Sequence, residues 1–128
     1  MSIIGIGVDI VNNDRLKKLI KNKKFLKRVF TNIEQKKSIK LKNKLNYYSK
    51  RFAAKEAFSK ALGTGFRRNL NFKDIEVIND KMGKPYYVQN KKITKIIQKN
   101  FKIKNFKCFL SISDEKKYST AFAIIQTS

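Results

Sequence analysis

Ile3-Ile4-Gly5-Ile6-Gly7-Val8-Asp9-Ile10-Val11 decides the fold of this 128-residue chain. The run is almost continuously apolar and dominated by β-branched residues, which suits a strand covered on both faces. Alternation sends Ile4, Ile6, Val8 and Ile10 to one face and Gly5, Gly7 and Asp9 to the other, so the Asp9 face is cleared of large side chains. Asp9 is the one charge in the run, and a buried carboxylate needs a cation, a metal ion or hydrogen-bond donors around it. Two readings are open at this point. Asp9 either bonds the backbone N–H groups of the next turn as a structural residue, or it belongs to a site.

Outward from this strand, Asn12 or Asn13 caps a helix that runs to about Lys21 with Leu16, Leu19 and Ile20 at core spacing. A short turn leads to Phe25, Leu26, Val29 and Phe30. Thr31-Asn32-Ile33-Glu34 matches a capping box and predicts a helix over 32–39. The longest helix is expected over 42–62, ended by Gly63. Residues 74–79 and 84–88 read as a hairpin around Asp80-Lys81-Met82-Gly83, residues 90–100 as a helix, and 106–113 and 118–126 as a second hairpin. The order β-α-α-α-β-β-α-β-β gives one α+β domain over residues 1–128, with helices, one of them long, packed on a mostly antiparallel sheet.

The chain carries 31 Lys and Arg against 9 Asp and Glu and has no His and one Cys. No internal disulfide is possible, and the absence of His removes Ser/His/Asp and Cys/His catalysis and most zinc sites. No apolar stretch is long enough to span a bilayer and the start lacks the basic segment of a secretory signal, so the expectation is a soluble, cytoplasmic protein without a membrane partner. Only 5 of the 31 cations are Arg, the residue that makes bidentate base contacts, and Lys, Asn and Ile are abundant together as in an AT-rich coding bias. Nucleic acid is therefore not the expected partner. Residues 13–50 nevertheless hold 14 cations and only two acids, Asp14 and Glu34, and residues 91–107 hold seven lysines and no acid, which favours an acidic partner.

Glu56 and Lys60 stand one helical turn apart in Phe52-Ala53-Ala54-Lys55-Glu56-Ala57-Phe58-Ser59-Lys60, where small residues let another backbone or a ligand approach. An exposed ion pair at this spacing contributes only about 0.2–0.5 kcal/mol. The alternative is a site in which the carboxylate holds Mg²⁺ and the ammonium meets a phosphate bound to that ion; Asp9 and Glu56 with phosphate oxygens and waters suit octahedral Mg²⁺. Gly63-Thr64-Gly65 is explained by a C-terminal helix cap. A phosphate there would face the negative end of the helix dipole, to be offset by Lys60, Arg51, Arg67 and Arg68. Cys108 reads as an inert strand thiol.

Together, Gly5-Ile6-Gly7-Val8-Asp9-Ile10-Val11 and Arg51-Phe52-Ala53-Ala54-Lys55-Glu56-Ala57-Phe58-Ser59-Lys60-Ala61-Leu62-Gly63-Thr64-Gly65 resemble the two signatures of the holo-[acyl-carrier-protein] synthases, the small bacterial type of the 4'-phosphopantetheinyl transferase family. Chain length, motif separation and the Gly83-Lys84-Pro85-Tyr86 turn also fit, so the resemblance covers nearly the whole chain. It implies the fold of that family and a Mg²⁺-dependent transfer of the phosphopantetheine arm of coenzyme A to a serine of apo acyl carrier protein. The other product is adenosine 3',5'-bisphosphate, the pathway is fatty acid biosynthesis, and the assembly is a homotrimer with active sites between subunits. Carried over by position, Asp9 and Glu56 match the metal-binding carboxylates, and Lys60 the lysine beside the pyrophosphate. Arg51, Gly63, Thr64, Gly65 and the strand residue Ser111 match the coenzyme A site. Arg15, Lys24, Phe25 and Arg28 match the helix that receives the acidic carrier protein. The family pattern has a His two residues before the strand serine, where this chain has Phe109. Without that His, a metal-bound water and Glu56 itself are the two candidate bases for the serine hydroxyl. Two competing readings remain: a small basic RNA-binding protein, against which no RNA-binding motif appears, and a non-catalytic family member, suggested by Phe109.

Overall fold

The glycines of the first strand meet the backbone of the longest helix. The structure, a computed structural model, describes residues 1–67 and 69–128; Arg68 lies outside the described residues. Strand β1 (Ile3–Asn12) is followed by helices α1 (Asn13–Leu19), α2 (Lys23–Val29), α3 (Asn32–Ser38) and α4 (Lys44–Leu62), then a 3-10 turn at Phe72–Asp74. Strands β2 (Val77–Asn79) and β3 (Pro85–Tyr87), helix α5 (Lys91–Phe101) and strands β4 (Phe106–Asp114) and β5 (Tyr118–Thr127) complete the chain. β1, β5 and β4 form an antiparallel sheet in that order, and β2 and β3 form a separate hairpin. This is the expected α+β architecture.

Helix α4 lies on the sheet, and what lets it lie so close is Gly7. A Cβ at residue 7 would come 1.8 Å from the carbonyl oxygen of Ala57, so only hydrogen fits there. Ala53, Ala54, Ala57 and Ala61 complete the close contact from the helix side and are buried. The glycine face of β1 is thus cleared for a helix backbone. The opposite face differs from the expectation of two-sided cover: Ile6, Val8 and Ile10 are 57%, 53% and 66% exposed in the single chain. Register places Ile6 beside Ile124 and Ile124 beside Phe109, and Val8 beside Phe122 and Phe122 beside Ser111. The open face of the sheet is therefore apolar.

Three elements depart from the sequence expectation. The first helix stops at Leu19 because Asn22 caps a further helix, its side chain accepting from the N–H groups of Lys24 and Phe25. That helix, α2, buries Phe25 and Val29, a four-residue spacing that was legible as helical. Residues 74–76 are not strand. The carbonyls of Phe72 and Ile75 accept from the Lys55 ammonium at 3.0 and 2.6 Å, and Asp74 caps the 3-10 turn by accepting from the N–H of Asn71. The capping box Thr31/Glu34 and the Gly63 cap, at φ 81°, are as expected.

Candidate active site

Asp9 lies on the α4 side of β1 toward its C-terminal end, with its side chain 15% exposed. Its Oδ1 accepts from Lys60 Nζ at 3.0 Å, and the same ammonium donates to the carbonyl of Val8 at 3.0 Å. Thr120 Oγ1 donates to the Asp9 carbonyl at 2.8 Å and pins the strand from β5. Lys60 therefore pairs across to the strand. Glu56, one turn earlier on α4, is half-buried. Burial, and then the charge of Asp9, push its carboxyl above the usual carboxylate range, against the pull of Lys60 and Arg15. The two carboxylates, Lys60 and Arg15 of α1 thus share one electrostatic neighbourhood.

The donor set fits a hard divalent cation. It offers two carboxylates whose mutual repulsion is only partly offset, and no thiolate or imidazole stands with them. Among the described residues no group of three or more His, Cys, Asp and Glu comes together, so further oxygens have to be supplied by substrate and water.

The remaining candidates are dispersed. Gly63 caps α4 and Gly65 N–H returns to the carbonyl of Ser59 at 3.1 Å, which sets the Gly63-Thr64-Gly65 loop at the end of the helix that carries Glu56 and Lys60. Arg51 precedes Lys60 by nine residues on α4, which turns it to the opposite side of the helix. It is 6% exposed, its guanidinium lies 3.8 Å from the centre of the Tyr47 ring, and its Nη2 donates to Asn79 Oδ1. Ser111 is exposed on the open face of the sheet, away from α4. Arg15 on one side and Lys24 and Arg28 on the other fall on two short helices rather than one, all three exposed. Phe25 does not face outward with them: it is 8% exposed, with Phe30 and Phe52 rings each 6.2 Å away.

Sequence reasoning missed the pair beneath the site. Lys55, next to Glu56, and Glu34 are both wholly buried and pair at 2.7 Å. Glu34 also accepts from the N–H groups of Thr31 and Val77, both at 2.9 Å, so this one carboxylate joins α3, α4 and β2. The signal was present. Tyr48, Phe52, Lys55, Ser59 and Leu62 share one helical face, and a cation in that phase demands a partner.

Two carboxylates and an ammonium are thus gathered where helix and sheet touch, and the class of protein is a group-transfer enzyme. The family profile described as the 4'-phosphopantetheinyl transferase superfamily matches residues 5–123, and the chain belongs to that superfamily. It is 64% identical over 126 residues to a holo-[acyl-carrier-protein] synthase of Pelagibacter ubique, covering 98% of each chain. The structure is similar to that of the holo-[acyl-carrier-protein] synthase from Neisseria meningitidis (TM-score 0.87, 36% identity, 98% of this chain and 100% of that one). It is also similar to that of the enzyme from Bacillus anthracis in complex with CoA (3',5'-ADP) (TM-score 0.82, 35% identity, 98% of each chain).

Proposed function

We propose that this chain transfers the 4'-phosphopantetheine arm of coenzyme A to a serine of apo acyl carrier protein, a cytoplasmic step of fatty acid biosynthesis that releases adenosine 3',5'-bisphosphate. The observation that carries the reading is the Asp9–Lys60 contact with Glu56 facing it, built from the two sequence runs that match the superfamily. Asp9 and Glu56 would hold Mg²⁺, which when bound neutralises charge on the pyrophosphate. Lys60 has two of its three donors engaged by the strand; on a side chain 53% exposed, the third is left to stabilise the oxygen that leaves with the nucleotide. Asp9 keeps that ammonium in place, and the Thr120 hydroxyl holds the Asp9 backbone. The direct test is incubation with coenzyme A and apo acyl carrier protein, with and without MgCl2, followed by the mass of the carrier. A carrier unchanged in mass at every Mg²⁺ concentration overturns the reading.

The homotrimer is supported by the open apolar sheet face, where Val8 is 53%, Phe109 45% and Phe122 40% exposed, an apolar face of the kind that subunit interfaces cover. Val8 sits in the middle of this face. A Val8→Lys substitution is expected to convert a trimer to monomers in analytical ultracentrifugation and to remove activity with it. A wild-type protein that sediments as a monomer at full activity contradicts the assembly.

The exposed cations of α1 and α2 supply the docking surface for an acidic carrier helix. Because Arg15 also acts on Glu56, the cleaner test reverses Lys24 and Arg28 to Glu together. Exposed charge pairs contribute only about 0.2–1 kcal/mol each, but reversal adds repulsion, so KM for the carrier should rise roughly tenfold while KM for coenzyme A stays put. Salt should raise the wild-type carrier KM in the same direction. Unchanged carrier kinetics at low salt would place docking elsewhere.

A further inference from the structure

Helix α5 carries a charge pattern that the site at Asp9, Glu56 and Lys60 leaves unused. Lys91, Lys95, Lys99 and Lys102 recur every three or four residues, which sets them in one row at about 5–6 Å spacing, and all four are exposed. Residues 91–107 contain no acid, and among the described residues none of these four lysines forms an ion pair, whereas the neighbouring Lys92 pairs with Asp74 at 2.7 Å. Like charges at this spacing repel and weaken a helix, so an anionic partner laid along the row relieves it. Ile93 and Ile97 are buried beneath the helix, but Ile96 is only half-buried and lines a groove of about 390 Å³ with Lys95, Lys99 and Asn100. That apolar floor selects among anions. A phosphodiester backbone offers nothing to Ile96, and no aromatic ring of residues 91–107 is exposed for a base to stack on. An amphipathic helix with carboxylates beside an apolar residue satisfies both the lysines and Ile96.

We infer that the α5 row is a second docking surface for the acidic carrier protein, holding one carrier per chain in addition to the one engaged at α1 and α2. The inference rests on the carrier reading above. The two surfaces are separate. Asn100 Nδ2 donates to the carbonyl of Leu62 at 3.2 Å, which fixes the C-terminal end of α5 to the end of α4, whereas α2 meets α4 through Phe25 and Phe52. Phe52 lies about 15 Å from Leu62 along the helix axis, more than the roughly 10–12 Å width of one helix, so a helix laid over α2 leaves α5 uncovered. The junction of α5 with α4 stands at the end that bears Lys60 and the Gly63-Thr64-Gly65 loop. A carrier held on α5 is therefore kept close to the site and raises the local concentration of substrate there.

The test is calorimetric titration of the purified protein with apo acyl carrier protein at about 0.01 M salt, where screening is weak. Wild type should bind two carriers per chain. Lys91→Glu together with Lys99→Glu turns the row into alternating charges, so this variant should melt at or above the wild-type temperature and bind only one carrier per chain. The variant with Lys24→Glu and Arg28→Glu should keep the α5 carrier at wild-type affinity. Raising salt to about 0.15 M should weaken the α5 carrier at least about tenfold, because every charge in the row is exposed. If wild type binds one carrier per chain and Lys91→Glu with Lys99→Glu binds it with unchanged affinity, the row is a matter of composition and the inference fails while the carrier reading stands. Single-stranded RNA that binds wild type more tightly than the carrier does, and is lost in the same variant, assigns the row to nucleic acid and also overturns it. A wild-type protein that binds no carrier at all overturns the carrier reading, and this inference with it.

Discussion

Asp9→Ala and Glu56→Ala are each expected to lower transfer to the carrier protein at least about 100-fold without unfolding the chain, the size of loss that follows removal of one preorganised electrostatic group. Neither side chain is in the core: Asp9 is partly exposed and Glu56 half-buried. Each removes one of two carboxylates that compensate a divalent cation, and Asp9→Ala also frees Lys60 from the strand. Glu56→Gln separates charge from shape, because it keeps the side-chain volume and should be nearly as inactive as Glu56→Ala. Its stability should move the other way. The Glu56 carboxyl is raised above its unfolded value by burial and by Asp9, so its contribution favours the fold below the unfolded carboxylate value and is lost as pH rises through the folded one. At neutral pH the ionised group is a liability without a cation. Glu56→Gln should therefore melt at or above the wild-type temperature at pH 7, with the difference closing in acid. Added MgCl2 should raise the wild-type melting temperature and leave that of Glu56→Gln unmoved. Near-normal turnover in either Ala variant, or equal Mg²⁺ stabilisation of wild type and Glu56→Gln, would remove these carboxylates from the metal site.

Much of this arrangement was legible because it follows from local pattern. Asp9 stood out as a charge in an apolar strand, and the structure supplies the cation it needed in Lys60. The two glycines were legible as a cleared face, but not what cleared it. A ligand and a helix backbone make the same demand for a missing Cβ, and only the position of Ala57 distinguishes them. The apolar face of β1 was legible as one to be covered, yet none of the described residues covers it, and Ile6, Val8 and Ile10 lie open. Helix phase alone sets Arg51 opposite Lys60, information that a motif quoted as a continuous run conceals. The failures at α2 and at residues 74–76 share another cause. A side chain took over backbone groups there, Asn22 capping a second helix and Lys55 claiming the Ile75 carbonyl that a ladder would have used.

Lys55 is also where the largest loss of stability is expected. Lys55→Met should cost about 3–5 kcal/mol of unfolding free energy, because it leaves the fully buried Glu34 carboxylate without its cation while the carbonyls of Phe72 and Ile75 lose their donor. That is a large share of the roughly 5–15 kcal/mol typical of a whole domain. The damage should not stay local, since Glu34 and Lys55 tie α3 and β2 to the helix that carries Glu56 and Lys60, and β2 in turn carries Asn79. Urea unfolding measures the loss, with Lys95→Met on the exposed side of α5 as the reference, where a change within about 0.5 kcal/mol is expected. The double variant Lys55→Met with Glu34→Gln should be less destabilised than the sum of its singles, because it removes the stranded charge and retains an acceptor for the N–H of Val77. If Lys55→Met unfolds at the same urea concentration as Lys95→Met, the ion pair is not what joins α4 to α3 and β2, and the placement of Glu56 has to come from the contacts of Gly5 and Gly7 with Ala61 and Ala57.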